Sequence, residues 1–445
     1  MHDNSTQPYF RPLFNDVAYE CGQASGVAMG FTYEIDFIRN VPANVMINQY
    51  PTHFVYNFHN DGQTYEGASF FDSWEIIQQL GTPNVTDYGG SLSYGGVKRW
   101  MTGYNLYYNA MHNRLYDFYM IRTNTPEGIL TMKQWMMDHC DGSTVGGIAN
   151  MYTTYISTAS LNVLPAGTEE AGKYVVTQWS NVNHGLTICG WNDSIRYDYN
   201  SDGQYTNDID ITGDGIVDVR DWEIGGVKFA NTYANPGGNT WGNSGFAYAM
   251  YRSLAMPVTN GGIWNNAVYV LKAKESCEPK ITFKISLKHN SRNNLKISAG
   301  VSSDTTATVP ENIMEFTMFN YHGGNFYMQG GTTEADKTLE FGLDVTPLLN
   351  YIHSGQPAKY FLLVNEKDPS NDGTGQLVSF SMMDYTGTAP AEIAYPFTNV
   401  QLTENGLTVA GITGTINFSD LEIITDTLPA ALAYENYIYQ LAAAG

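Results

Sequence analysis

The stretch "NDVAYECGQASG", Asn15–Gly26, followed by "VAMGFTYEID", decides how this chain reads. It holds Cys21, one of only four cysteines in 445 residues. Beyond it the apolar residues Val27, Met29, Phe31, Ile35 and Ile38 predict a mostly buried helix from Cys21 to about Arg39. A cysteine at a helix start meets the partial positive charge of the unpaired N–H groups, which favours thiolate. Cys21 is therefore a candidate nucleophile rather than a small core residue.

Composition narrows the field. Aromatics are 13% of the chain, with 32 tyrosines, and charged residues only 15%, as expected of a folded, loop-rich protein. A net charge of −22 leaves no basic stripe for phosphates, so nucleic acid is excluded, and anionic membrane surfaces with it. The acidic, Lys-poor composition suits a calcium-containing extracellular medium. No run of about 18 apolar residues exists, so no transmembrane helix is expected. The opening "MHDNSTQPYF" lacks the basic and apolar regions of a signal peptide, and we expect it to lie near the mature N-terminus of a secreted protein. Cys21, Cys140, Cys189 and Cys277 show no zinc-ligand spacing. One disulfide could form among them, with its pairing open.

Further helices are expected over "FFDSWEIIQQLG", closed by Gly81, and around "GILTMKQWMMDHC". After residue 150 come strand patterns: "KYVVTQW", "HGLTICGW", "GGVKFANTY" and "NAVYVLKAK". Residues 1–275 thus read as an α+β domain, helices first and an antiparallel sheet after. The composition shifts at "KESCEPK", and 276–445 carry short alternating strands such as "KITFKISLKH" and "KYFLLVNEK". Their spacing predicts an all-β sandwich or jelly roll. It has no triad of its own and reads as an accessory module, whose aromatic residues suit a glycan or protein ligand if they are not core.

Cysteine catalysis needs a base, a group to orient that base, and donors for an oxyanion. His184 heads the apolar strand in "NVNHGLTICGW", and Asn231 ends the strand in "KFANTYANPGGNTWGNSGFAYAM". In the order Cys, His, Asn these segments resemble the papain-like cysteine peptidases over roughly residues 10–275. The resemblance implies a divergent, bacterial, secreted member of that family with a protein or peptide substrate. It makes His184 the general base and then acid, Asn231 the orienting group, and Trp241 the shield of that pair. Gly67 in "YEGASFFDSW" resembles the glycine that lines the family's substrate cleft.

Two registers remain open at the nucleophile. Matching "CG" to the family's first cysteine and glycine puts Ala24 at the nucleophile position, giving an inactive relative. Matching Cys21 to the nucleophile puts Asn15 six residues upstream, where the family has an oxyanion glutamine, with Gln23 the weaker candidate. No cysteine stands near "TYEGASFFDSW" to partner Cys21 in the family's disulfide, which favours the second register.

Between His184 and Asn231 the chain is longer than the family usually shows, and "YDYNSDGQYTNDIDITGDGIVDVRDW" fills the difference, an insertion at about 196–223. Asp210, Thr212, Asp214, Asp218 and Asp221 hold alternate positions of a calcium loop that turns at Gly215, with Ile216 offering its carbonyl. The closing aspartate resembles dockerin-type loops. Asp198, Asn200 and Asp202 form a second, less complete set. The expectation is a Ca2+-stabilised secreted cysteine endopeptidase. The rivals are a calcium-dependent pseudo-peptidase that binds protein or glycan, and a transferase or amidase with the same triad.

Overall fold

The computed structural model describes residues 1–232, 241–369 and 375–419 in full, and the backbone of 422–423 and 443–444. The helix expected from Cys21 is there and unbroken: α1 (Cys21–Gln23) runs through a π-helical segment, Ala24–Phe31, into α2 (Thr32–Arg39). Every residue from Gly22 to Asp36 is buried. A helix buried all round needs close neighbours on every side, and glycines at 22, 26 and 30 provide them. A Cβ on Gly26 would lie 2.5 Å from Phe70 Cβ, and one on Gly22 would lie 2.7 Å from the Ala68 carbonyl oxygen. π segments interrupt α-helices most often near functional sites.

Against this axis pack α3 (Thr52–His59) and α4 (Phe70–Gln79); the short α5 (Val85–Tyr88) and α6 (Tyr104–Met111) lie beyond them, and α7 (Pro126–Asp138) places Ile129, Met132, Trp135 and Met136 in a separate hydrophobic cluster. The Ser69 hydroxyl caps α4 by accepting the Phe71 N–H, and Thr125 caps α7 just before its first-position proline. A short α8 (Tyr251–Ala255) comes before the last strand of the sheet.

The sheet is built from β1 (His2–Asp3), β2 (Leu115–Arg122), β3 (Ala149–Thr153), β4 (Asn162–Val163), β5 (Tyr174–Val176), β6 (His184–Arg196), β7 (Ile224–Ala230), β8 (Phe246–Met250) and β9 (Ala267–Ala273). Its order is β2-β9-β3-β6-β7-β8-β5-β4, with β1 paired to β6. The expectation of an antiparallel sheet holds with one exception, since β5 joins β8 in parallel. Strand β2 comes before α7 in sequence, so helix and strand regions interleave rather than follow one another.

Beyond residue 280 two antiparallel sheets form the expected sandwich. One holds β10 (Ile281–Lys288), β13 (Thr338–Asp344), β15 (Gln376–Asp384), β16 (Ala391–Ala394) and β17 (Val400–Gln401). The other holds β11 (Leu295–Ser302), β12 (Asn312–Asn320), β14 (Pro357–Glu366) and β18 (Leu407–Thr415). The "KESCEPK" segment does separate β9 from β10. The sandwich is not an appended module, however: a single hydrophobic cluster runs from Phe31 and Trp74 through Tyr107 to Phe341 and Phe380. Tyr104 and Met111 of α6 press on Gly342 of β13, where a Cβ would meet them at 3.0–3.2 Å. Arg114 pairs with Asp344 at 2.6 Å, both almost fully buried. Arg292 lies 4.4 Å above Trp100 and donates to the carbonyls of Gly323 and Lys98.

All eight tryptophans precede residue 275, so their fluorescence reports mainly the first part, with Trp100 at its contact with Arg292 and Phe319. Phe380 sits deep in the sandwich against Phe283. Phe380→Ala should cost about 3–5 kcal/mol and lower the denaturation midpoint seen by tryptophan fluorescence. An unchanged tryptophan midpoint would mean that the two parts unfold independently.

Candidate active site

Cys21 is the first residue of α1, and the first intrahelical bond runs from the Ala24 N–H to the Glu20 carbonyl. The N–H groups of Cys21, Gly22 and Gln23 therefore find no partner within the helix. Cys21 is partly exposed and lines a cavity of about 360 Å³ with Tyr19, Gly67, Phe71, Tyr152, Asn183 and Trp264 among its walls. Ala24, the rival nucleophile position, is fully buried and does not line this cavity.

His184 opens β6, paired in register with Thr153, and is almost fully buried. Its Nε2 lies 3.1 Å from the Asn231 side-chain oxygen. An amide oxygen only accepts, so Nε2 carries the proton and Nδ1 remains basic. Asn231 directly follows β7, is buried, and donates its backbone N–H to the Gly245 carbonyl. Cys21 is brought to this pair by close backbone approach. Its Sγ is 4.0 Å from the Asn183 carbonyl oxygen, and a Cβ on Gly185 would stand 2.9 Å from the Cys21 carbonyl oxygen. The glycine of "HG" is thus what lets the strand reach the helix start.

Electrostatics hold this site at rest. Burial, and to a lesser extent the charge of Asp16, push the Cys21 thiol up to about 11, against a lowering by hydrogen bonds from the backbone of Gly185 and Gly22. Burial lowers His184, partly offset by its bond to Asn231. Both shifts favour the neutral forms, thiol and imidazole. Asp16 is itself raised to about 6 by burial and by Glu20, so its charge develops as pH rises through that value.

Several sequence assignments change. Gln23 does not face the cleft: it is fully buried, and its amide donates to the Ala68 and Ser69 carbonyls and to the Ser73 hydroxyl. Asn15 is exposed and is not among the cavity-lining residues. Trp241 packs on Phe229 and donates to the Ile156 carbonyl, while a ring that meets His184 edge-on is that of Tyr155, centroids 5.7 Å apart. Gly67 does line the cavity, although a side chain there would find room, its nearest neighbour being the Tyr19 carbonyl at 3.9 Å. The residues between Asn231 and Trp241, from 233 to 240, lie outside the described part. All four cysteines are free. Sequence reasoning missed Tyr152 and Trp264, whose aromatic spacing carried no signal of a shared wall.

The calcium-loop residues fold as turns around Gly203 and Gly215, both at positive φ. Asp210 accepts the Gly213 and Gly215 N–H groups, and Asp221 accepts those of Ile211, Thr212 and Asp218. Asp214 and Asp218 both pair with Arg220, at 2.7 and 2.6 Å. Ile216 is exposed. In the upstream loop Asp198 accepts from Ser201 and Gly203, Asn200 from Asp202, and Asp202 from Gln204. Among the described residues no three His, Cys, Asp or Glu side chains are arranged to hold a metal. As folded, the Arg220 guanidinium and backbone donors meet these carboxylates. Buried Glu223, missed in the sequence, ties the two loops by accepting from Tyr199 and Thr206.

No family model and no curated protein matches the chain. Among solved structures, xylellain, a cysteine protease from Xylella fastidiosa, is similar at 12% identity, with 61% of this chain and 85% of that one covered and a TM-score of 0.33. The clostridial cysteine protease Cwp84 after propeptide cleavage matches over 92% of this chain and 97% of its own, at 10% identity and a TM-score of 0.38. A mite-allergen structure concerned with Blo t 1 and Der p 1 covers 58% and 67%, at 11% identity and a TM-score of 0.29. At values this low the likenesses carry no weight in the functional reading, which rests on the side chains.

Asp16→Asn removes a charge that acts on Cys21 only above about pH 6. The variant should alkylate at Cys21 faster than wild type above that pH and equally below it. A constant ratio from pH 5 to 9 would contradict the coupling.

Proposed function

We propose that the chain is a papain-like cysteine peptidase, secreted, that hydrolyses peptide bonds with Cys21, His184 and Asn231. The observation that carries this reading is the 3.1 Å bond between His184 and Asn231, set on the strand whose first residues touch the Cys21 backbone. Cys21 Sγ attacks the scissile carbonyl carbon as its proton passes to His184 Nδ1. The carbonyl oxygen becomes an oxyanion, which meets the Cys21 backbone N–H. His184 returns the proton to the leaving amine as the C–N bond breaks, and water releases the acyl group from sulfur. Gly67 and the aromatic walls of the adjoining cavity receive the substrate.

The pseudo-peptidase reading needs Ala24 in the nucleophile's place, and its burial away from the cavity speaks against that. Limited iodoacetamide at pH 7, followed by peptide mapping, tests the choice. Although burial raises its thiol, transfer of its proton to His184 during attack should make Cys21 label faster than Cys140 and Cys277, and His184→Ala should remove the excess. Equal rates at the three thiols would overturn the peptidase reading.

Calcium at the Asp210 loop is a second proposal, supported by the spacing of its oxygens; the ion would have to replace the Arg220 guanidinium. Millimolar calcium should then raise the melting temperature relative to excess chelator, and more so in Arg220→Ala. Identical melting curves in calcium and chelator, for both proteins, would remove the idea.

A further inference from the structure

Resting on the reading of Cys21 as nucleophile, we infer that Glu20 and His53 form a positioning pair that sets the Cys21 sulfur in the cleft. Glu20 immediately precedes the nucleophile, where the mechanism makes no use of a carboxylate. It is 1% exposed, and so is His53. Its Oε2 lies 3.0 Å from His53 Nε2, and its Oε1 accepts the Val17 N–H at 2.9 Å. One side chain thereby closes the turn before Cys21 and sets its other carboxylate oxygen against the His53 ring of α3. His53 stands in the first turn of α3, where its own N–H is held by the Leu92 carbonyl.

The other end of the same turn is fastened to the opposite wall. The Asp16 N–H donates to the Thr232 carbonyl at 3.1 Å, and the Thr232 hydroxyl donates to Asp16 at 3.2 Å. Thr232 adjoins Asn231. The segment from Asp16 to Cys21 is therefore stretched between the helical side, through Glu20, and the strand end that presents Asn231. Ala18, within it, has a left-handed φ of 61°. A non-glycine residue stays in that region only where its surroundings over-determine it. Both anchors are needed to hold that turn, and its last residue is the nucleophile.

A buried pair of the same kind serves as control. Glu34 and His139 lie 2.9 Å apart and equally hidden, beside a different cavity that does not include Cys21. Electrostatics sets where to read the rates: Glu20 raises Asp16, so its removal would let the Asp16 charge develop at a lower pH, and the variants are compared well above about pH 6, where Asp16 is ionised in all of them.

The experiment measures the alkylation rate of Cys21 against pH, and kcat and KM on a peptide substrate, in wild type, Glu20→Ala, Glu20→Gln and Glu34→Ala, each checked for native circular dichroism. Glu20→Ala should slow alkylation and lower kcat by ~10-fold or more, with KM little changed. Glu20→Gln, which keeps an acceptor for Val17 and gains a donor for His53, should recover most of both. Glu34→Ala should lose stability and leave Cys21 reactivity intact. If Glu20→Ala reacts like wild type, or Glu34→Ala slows Cys21 equally, the positioning role is overturned while the peptidase reading stands. If wild-type Cys21 is no faster than Cys140 and Cys277, the peptidase reading fails and the inference falls with it.

Discussion

The close approach of neighbouring backbone and side chains to the glycine face of the central helix governs the molecule. Gly22 meets the loop before α4, Gly26 meets Phe70 and Trp74, and Gly30 meets Asn150 of β3. Side chains there would hold the helical and strand layers apart. With the helix sunk to its first turn, its unpaired N–H groups end at the mouth of a cleft rather than in bulk water. Trp74 donates its indole N–H to the Gly26 carbonyl, and Ser25 bonds both Asn150 and the Leu186 carbonyl, so the helix is pinned to both layers. The reach of β6 to Cys21 is a consequence of this packing.

The same economy joins the sandwich to the rest. Its apolar faces are not closed by its own two sheets alone, since α6 and the Arg114–Asp344 pair complete them. Breaking a buried ion pair costs more than forming it returns, because the remaining charge is stranded in a poorly solvated place. That contact therefore fixes relative placement as much as it adds stability.

Sequence legibility follows from what local pattern can encode. The helix at Cys21, the strand at His184 and the sandwich strands were legible because periodicity and burial agree there. The place of Cys21 at the helix start and the His184–Asn231 contact were legible because the residue types and their strand and helix settings point to them. Side-chain direction was not legible: Gln23 looked like an oxyanion donor, but a helix turn carries it inward to Ser73. Tyr155, about which no expectation was formed, stands edge-on to His184 for the same reason. Arg220 was hidden because a calcium-loop pattern counts oxygens and ignores the cation already present in the chain. The shared core was invisible, since a composition break at 274–280 marks a change of secondary structure and not a loss of contact.

The most direct test of the central claim is turnover. An unfolded protein substrate incubated with wild type, Cys21→Ser and His184→Ala, and followed by mass spectrometry, reports peptide-bond cleavage without assuming specificity. The account predicts defined fragments with wild type and a loss of rate of about 10²–10⁴-fold or more in the His184 variant, with none above background for Cys21→Ser. Cleavage that persists in Cys21→Ser, or no cleavage by wild type, would contradict it.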